Sequence, residues 1–280
     1  MLRILPAIHI MAYSHAFSAA IKTARRHKEG RGTGIGADYK PWLRTSDVPS
    51  LGRRHRIYSP KFKRTFHLLS DLELHAFYYS EFLDEVSDNR EQFPLPIEKT
   101  KKIADDLAVD HPRPPGSLTE CVMTTDQVWT RKRVDARPLK PVIVKYTDAL
   151  TNERTVEKLA IEWELWADHD EADTPLLFTE QSVSQNFIRN WGFIRDTLRP
   201  DFFDSFPTGI TDLVDDALCP TDLNSCPQLG TLFQILAQKL ACDRAIVIPA
   251  VHYNIASRRW PVDLDATLLM PSRHVILQGT

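Results

Sequence analysis

Two short apolar segments constrain this chain more than any other feature. Cys121-Val122-Met123-Thr124-Thr125-Asp126 ends on an acid, and Pro141-Val142-Ile143-Val144-Lys145 ends on a lysine. Both read as β-strands, and the stretch between them, Arg131–Arg137, is basic and turn-like. Lys145 follows Asp126 by 19 residues, enough for a strand, a turn and a return. The spacing therefore predicts neighbouring strands that set an acid beside an ammonium. Metal-dependent phosphodiester hydrolysis wants such a pair: a carboxylate to hold a divalent cation and a fixed positive charge to steer water at a phosphate. Taken alone, the pair has a plainer reading as well. Aspartate also forms turns at strand ends, and lysine also guards sheet edges.

Other acids extend the site on paper. Ser70-Asp71-Leu72-Glu73 is a capping box, in which the glutamate reaches back to the cap residue's N–H. A glutamate there also serves if it faces the sheet and supplies a second metal carboxylate. Side chains alternate along a strand, so Lys145 shares a face with Ile143, and the Val144 carbonyl points sideways where it can complete a metal shell. Glu162, on a helix predicted to start at an Asn152 cap and run to Trp166, reads as solvent-facing, and Asp148 as a turn residue.

Charge separates the two ends of the molecule. The chain has 280 residues and a net charge of −2, yet its first 70 residues carry 14 bases against Glu29, Asp38 and Asp47. A basic amino-terminal region on an acidic protein points to a polyanion, with nucleic acid first. The candidate phosphate contacts are Arg25, Arg26, Lys28, Arg31, Arg53, Arg54, Arg56, Arg131, Lys132 and Arg133. No apolar run approaches the roughly 18 residues of a membrane span. The cysteines Cys121, Cys219, Cys226 and Cys242 form no C-x-x-C pair, which fits a reducing cytoplasm and argues against a zinc site. The first residues, with Arg3 and an apolar stretch broken by Pro6 and His9, only loosely resemble a signal peptide. Residues 1–23 read as a flexible arm, and Met11 is an alternative start.

Along the chain, residues 14–30 predict a basic helix that Gly30–Gly36 breaks. Residues 53–59 and 64–69 predict a basic hairpin turning at Pro60, and a helix follows from Ser70 to about Leu83. Phe93-Pro94-Leu95-Pro96 ends the next strand, and Leu176–Thr179 reads as a last buried one. Strands followed by helices suggest an α/β domain over 24–180. Beyond it, Gln185–Leu198 and Leu229–Leu240 are amphipathic helices, and Ala245-Ile246-Val247-Ile248 reads as a strand. Helices trailed by strands suggest a mostly helical, winged-helix-like domain over 181–280.

Several blocks taken together resemble a known family. Ala24–Gly32, Asp38-Tyr39, Pro41-Trp42-Leu43 and His55–Ser59 come first, followed by His67–Leu74, Arg90–Leu95, Met123–Asp126 and Glu153–Leu159. In this order they resemble the TnsA family, the endonuclease subunits of Tn-seven-like transposons. The resemblance implies a restriction-endonuclease-like fold with catalytic residues at Glu73, Asp126 and Lys145. It also implies two Mg2+ ions, replaceable by Mn2+, among these residues, with Glu73 and Asp126 as ligands beside the Val144 carbonyl already singled out. A TnsB-like DDE transposase and a TnsC-like AAA+ ATPase are the implied partners, with transposon ends as the DNA. The family's work is then to cut the 5′ strands so that the element moves by cut and paste. One position departs from the pattern. Two residues before the lysine the family commonly has a polar side chain, whereas this chain has Ile143. Either a carbonyl with water fills that place, or Glu162 compensates, or the metal is bound weakly. A stand-alone nuclease of the same fold and a decayed, purely DNA-binding subunit remain the alternatives.

Overall fold

The computed structural model describes residues 20–48, 52–113, 120–132, 137–218 and 228–277. The expected arm over 1–23 lies mostly outside them, as do Arg133, Cys219 and Cys226. The chain divides into two compact units, Met1–Glu180 and Gln181–Thr280.

The described part of the first unit opens with a helix over residues 20–28, α1, which lies within the 14–30 expected. Strands β1 (His55–Ser59) and β2 (Arg64–Leu68) then pair antiparallel as a hairpin, as their alternation predicts. Helix α2 (Asp71–Phe82) starts at Ser70, whose side chain accepts from the Glu73 amide. The four-stranded sheet holds β3 (Val86–Pro94), β4 (Thr124–Arg131), β5 (Leu139–Val144) and β6 (Leu176–Phe178), in that spatial order. The first two pairings are antiparallel and the last is parallel. Helix α3 (Ile97–Asp106), which the sequence reading passed over, and helix α4 (Glu153–Ala167) complete the unit. Strand β4 departs from expectation. It starts at Thr124 and runs on to Arg131, so Asp126 is its third residue and not its last. Continued pairing with β3 and β5 draws Gln127–Arg131 into the sheet.

Burial explains the layers. Val142, Ile143 and Val144 are buried with no alternation, as expected of a strand covered on both faces beside a parallel neighbour. Leu95, Ala104, Met123, Val128, Ile161, Leu165 and Trp166 form one core cluster under α3 and α4. From β4, Gln127 donates to the Glu73 carbonyl in α2, and Trp129 packs against Tyr79 of the same helix. The hairpin is tied to β3 by a buried ion pair, Arg64 Nη1 to Glu91 Oε1 at 3.0 Å. Glu91 Oε1 also accepts from the His67 amide at 3.1 Å.

The second unit is helical: α5 (Gln185–Ile194), α6 (Ile210–Asp216), α7 (Leu229–Lys239) and α8 (Arg244–Ala256). This corrects the strand expected at 245–248. Asp243 caps α8 by accepting from the Ala245 amide, and the apolar run forms the helix's first turns, with Pro249 inside it. The only β-pairing among the described residues of this unit is an isolated bridge between Val262 and Leu277. The winged-helix layout thus loses the strand on which it was read. His252 of α8 is buried, with its ring edge-on to Phe193 at 4.9 Å and to Phe233 at 5.9 Å.

Candidate active site

The two strands deliver the acid and the lysine to one point. Asp126 Oδ2 accepts from the Val144 amide at 2.7 Å and from Lys145 Nζ at 2.9 Å. The same ammonium donates to the Val144 carbonyl at 2.8 Å. Lys145 itself is anchored to β6, its amide donating to the Phe178 carbonyl at 3.0 Å. Partial burial pulls the pKa of this lysine down. The negative charge of Asp126 and its hydrogen bond outweigh burial and hold the pKa above the usual lysine value. Lys145 is therefore an ammonium in this geometry, a donor and a point charge.

Glu73 realises both readings of its sequence position. Its amide donates to Ser70 Oγ at 3.1 Å, as a cap requires. Its carboxylate turns inward instead of closing on the Ser70 amide. Oε2 accepts from the Leu69 amide at 2.9 Å and from Gln92 Nε2 at 3.1 Å. Burial first, and then the charge of Asp126, push the Glu73 carboxyl up to about 8.

Glu162 corrects the sequence reading. It is 5% exposed, while the adjacent Trp163 is 40% exposed. Helix α4 buries Ile161, Glu162, Leu165 and Trp166 on one face. The Glu162 Oε1 atom is buried without a hydrogen-bond partner among the described residues. Burial, followed by the charge of Asp126, again pushes the carboxyl up to about 8. Ile143 is fully buried in the core and offers no oxygen.

Three carboxylates thus share one neighbourhood with a single ammonium. A buried cluster with that excess of negative charge is the environment a divalent cation relieves. The donor set, carboxylates and a carbonyl, is all oxygen, as Mg2+ prefers. Among the described residues, no three acidic, histidine or cysteine side chains already converge on a single point. The lysine nitrogen, seated between Asp126 and the Val144 carbonyl, takes up the place between two of the expected oxygens.

The expected phosphate contacts divide. Arg25, Lys28, Arg53, Arg54, Arg56 and Lys132 are exposed. Arg25 pairs with Glu29 at 2.7 Å and Arg53 with Asp71 at 2.9 Å, while Arg54 donates to the Thr45 and Val48 carbonyls. Arg26 is partly buried over the Trp42 ring, at 5.5 Å. Arg131 is held by Asp173 at 3.0 Å. Arg31 is a correction. It is 7% exposed and is bonded to Glu29, Asp47 and the Trp42 carbonyl. A guanidinium committed in this way holds the Gly30–Trp42 loop together and has no face left for a phosphate.

No family model matches the chain. Transposon Tn7 transposition protein TnsA of Escherichia coli is 42% identical to it over 175 residues. Over that stretch the chain is similar to TnsA. The match covers 62% of this chain and 62% of that protein, so the chain spans less than two thirds of the length of TnsA. Asp126, Lys145 and Glu73, which the resemblance implies as catalytic, lie near one another in the fold. Glu162 joins them from a helix whose sequence pattern pointed it outward.

Proposed function

We propose that this chain is the DNA endonuclease subunit of a Tn-seven-like transposase, with the restriction-endonuclease-like fold in its first unit. The observation that carries the reading is the meeting of Asp126 and Lys145 at adjacent strands beside two buried glutamates, in a chain similar to TnsA. Its substrate is the DNA of transposon ends, cut on the 5′ strands. A TnsB-like transposase cutting the 3′ strands and a TnsC-like ATPase complete the assembly, which works in the prokaryotic cytoplasm. Among the described residues no helix is long and apolar enough to cross a membrane.

Asp126, Glu73, the Val144 carbonyl and Glu162 are the residues that hold Mg2+ in this reading. The bound ion supplies Lewis-acid stabilisation of charge on the phosphate and lowers the pKa of water. The chain's own groups do the rest. Lys145, as an ammonium, donates to and orients the attacking water. Glu162 supplies the side-chain oxygen that Ile143 cannot. Arg53, Arg54, Arg56 and Lys132 hold the backbone of the duplex, fixing its register without reading sequence.

The test is Asp126→Ala in a reconstituted reaction with the partner transposase. Loss of 5′ cleavage with 3′ joining intact is expected, and normal double-strand excision by the variant overturns the assignment. A second reading, a DNA-binding subunit that has lost catalysis, draws on the buried Ile143. Calorimetry with Mn2+ separates the two, because a decayed site takes up no ion dependent on Asp126.

A further inference from the structure

The antiparallel ladder between β3 and β4 is interrupted beside the site. Arg90 pairs with Val128, Glu91 with Gln127, Phe93 with Thr125 and Pro94 with Thr124. By that register Gln92 falls opposite Asp126, yet the two are not a ladder pair. Gln92 has φ +50°, the left-handed region, which is strained for a side-chain-bearing residue. The other described non-glycine residues with positive φ have ordinary reasons for it. Lys63 sits in the hairpin turn, and Ala108, Ala241 and Arg258 each follow a helix end. Gln92 alone adopts the conformation inside a strand.

The twist redirects the residue's polar groups. The Gln92 carbonyl accepts from the Trp42 amide at 3.2 Å. Its side chain is 2% exposed and bonded at both ends. Nε2 donates to Glu73 Oε2 at 3.1 Å, and Oε1 accepts from Thr124 Oγ1 at 3.3 Å. A primary amide gives and accepts at once, which a glutamate or a methionine here would not. Strain held inside a buried strand, next to a candidate site and aimed at one of its carboxylates, is a reason to look for function there.

We propose that Gln92 is a positioning residue of the site, its left-handed backbone aiming an amide that fixes the Glu73 carboxylate. The inference rests on the reading of Glu73 and Asp126 as cation ligands. Groups that orient a metal ligand are commonly worth about 10–100-fold in metal affinity. Gln92→Asn tests the role, because asparagine tolerates positive φ better but is one methylene too short to reach Glu73. The full-length chain is titrated with Mn2+ by calorimetry, and its thermal unfolding is followed in chelator.

The expected result is Mn2+ affinity weaker by about tenfold with a melting temperature unchanged or raised. In a Glu73→Gln background the same substitution should produce no further loss. Wild-type affinity in folded Gln92→Asn overturns the proposal, and so does a loss that persists undiminished in the Glu73→Gln background. If Gln92→Asn does not fold, Gln92→Gly, free at any φ, puts the same question. Asp126→Ala is the control for the site itself. If it too leaves Mn2+ binding untouched, the metal-site reading fails. If it abolishes binding while Gln92→Asn does not weaken it, only the positioning role fails.

Discussion

Lys145 Nζ lies 2.9 Å from Asp126 Oδ2, and the acid's charge raises the lysine's pKa against the opposing pull of partial burial. The contact has two sides. It fixes the ammonium beside the carboxylate that defines the site, and it occupies an oxygen that a cation would use. A charge placed in this way orients a water better than it deprotonates one.

Replacing that ammonium separates chemistry from ion binding. Lys145→Met should lower 5′-strand cleavage by about 100-fold or more, the usual scale for one preorganised charge at a reacting phosphate. Mn2+ affinity should hold or rise, because nothing then competes for Asp126 and the Val144 carbonyl. Cleavage assays and calorimetry on the same preparation check both halves. A parallel fall in affinity and rate would instead make Lys145 part of the ion-binding framework.

Glu162 should cost the ion-free protein stability. Its folded pKa of about 8 stands above the ordinary glutamate value of 4.5, so between these values the folded state binds the extra proton. Stability from this group is complete below about pH 4.5 and falls as pH rises towards 8, by a few kcal/mol as an order of magnitude. Glu162→Gln removes the titration. In chelator, the variant should melt near wild type at pH 5 and several degrees higher at pH 9. Superimposable melting curves at both pH values would contradict the burial of a charged Glu162 beside Asp126.

His252 works in the opposite direction. Burial lowers its pKa to about 4 from 6.5, so between these values the unfolded state binds the extra proton. The second unit should keep its full stability above about pH 6.5 and lose on the order of 3 kcal/mol as pH falls towards 4. His252→Phe keeps a ring against Phe193 and Phe233 and removes this term. Urea unfolding at pH 4.5 and pH 7 should show a midpoint gap for wild type that narrows in the variant.

The hairpin, the Ser70 and Asn152 caps and the apolar β5 run were legible because each is a local signal. Alternation, a cap side chain and β-branched runs act over a few residues. What escaped needed the tertiary structure. Glu162 and Trp163 exchange the places that polarity assigns them, because the face α4 turns inward is set by what it covers. Ala245–Ile248 is a short apolar run that fits strand and helix alike, and the Asp243 cap decides for helix. Helix α3 did leave a signal, with Ile97, Thr100, Ile103 and Ala104 at helical spacing behind Pro96. The left-handed Gln92 left none, since glutamine carries no preference for that region.

With Ile143 in the core, the site's additional carboxylate comes from a helix and not from the strand that carries Lys145. Its position is therefore a matter of phase. Asn152 fixes where α4 begins by accepting from the Thr155 amide at 3.0 Å, and Glu162 follows ten residues later. A helix advances about 1.5 Å and turns about 100° per residue. Starting it one residue late would swing Glu162 away from Asp126 and bring Trp163 round towards the buried face. A surface asparagine some 15 Å along the helix thus keeps time for the buried carboxylate.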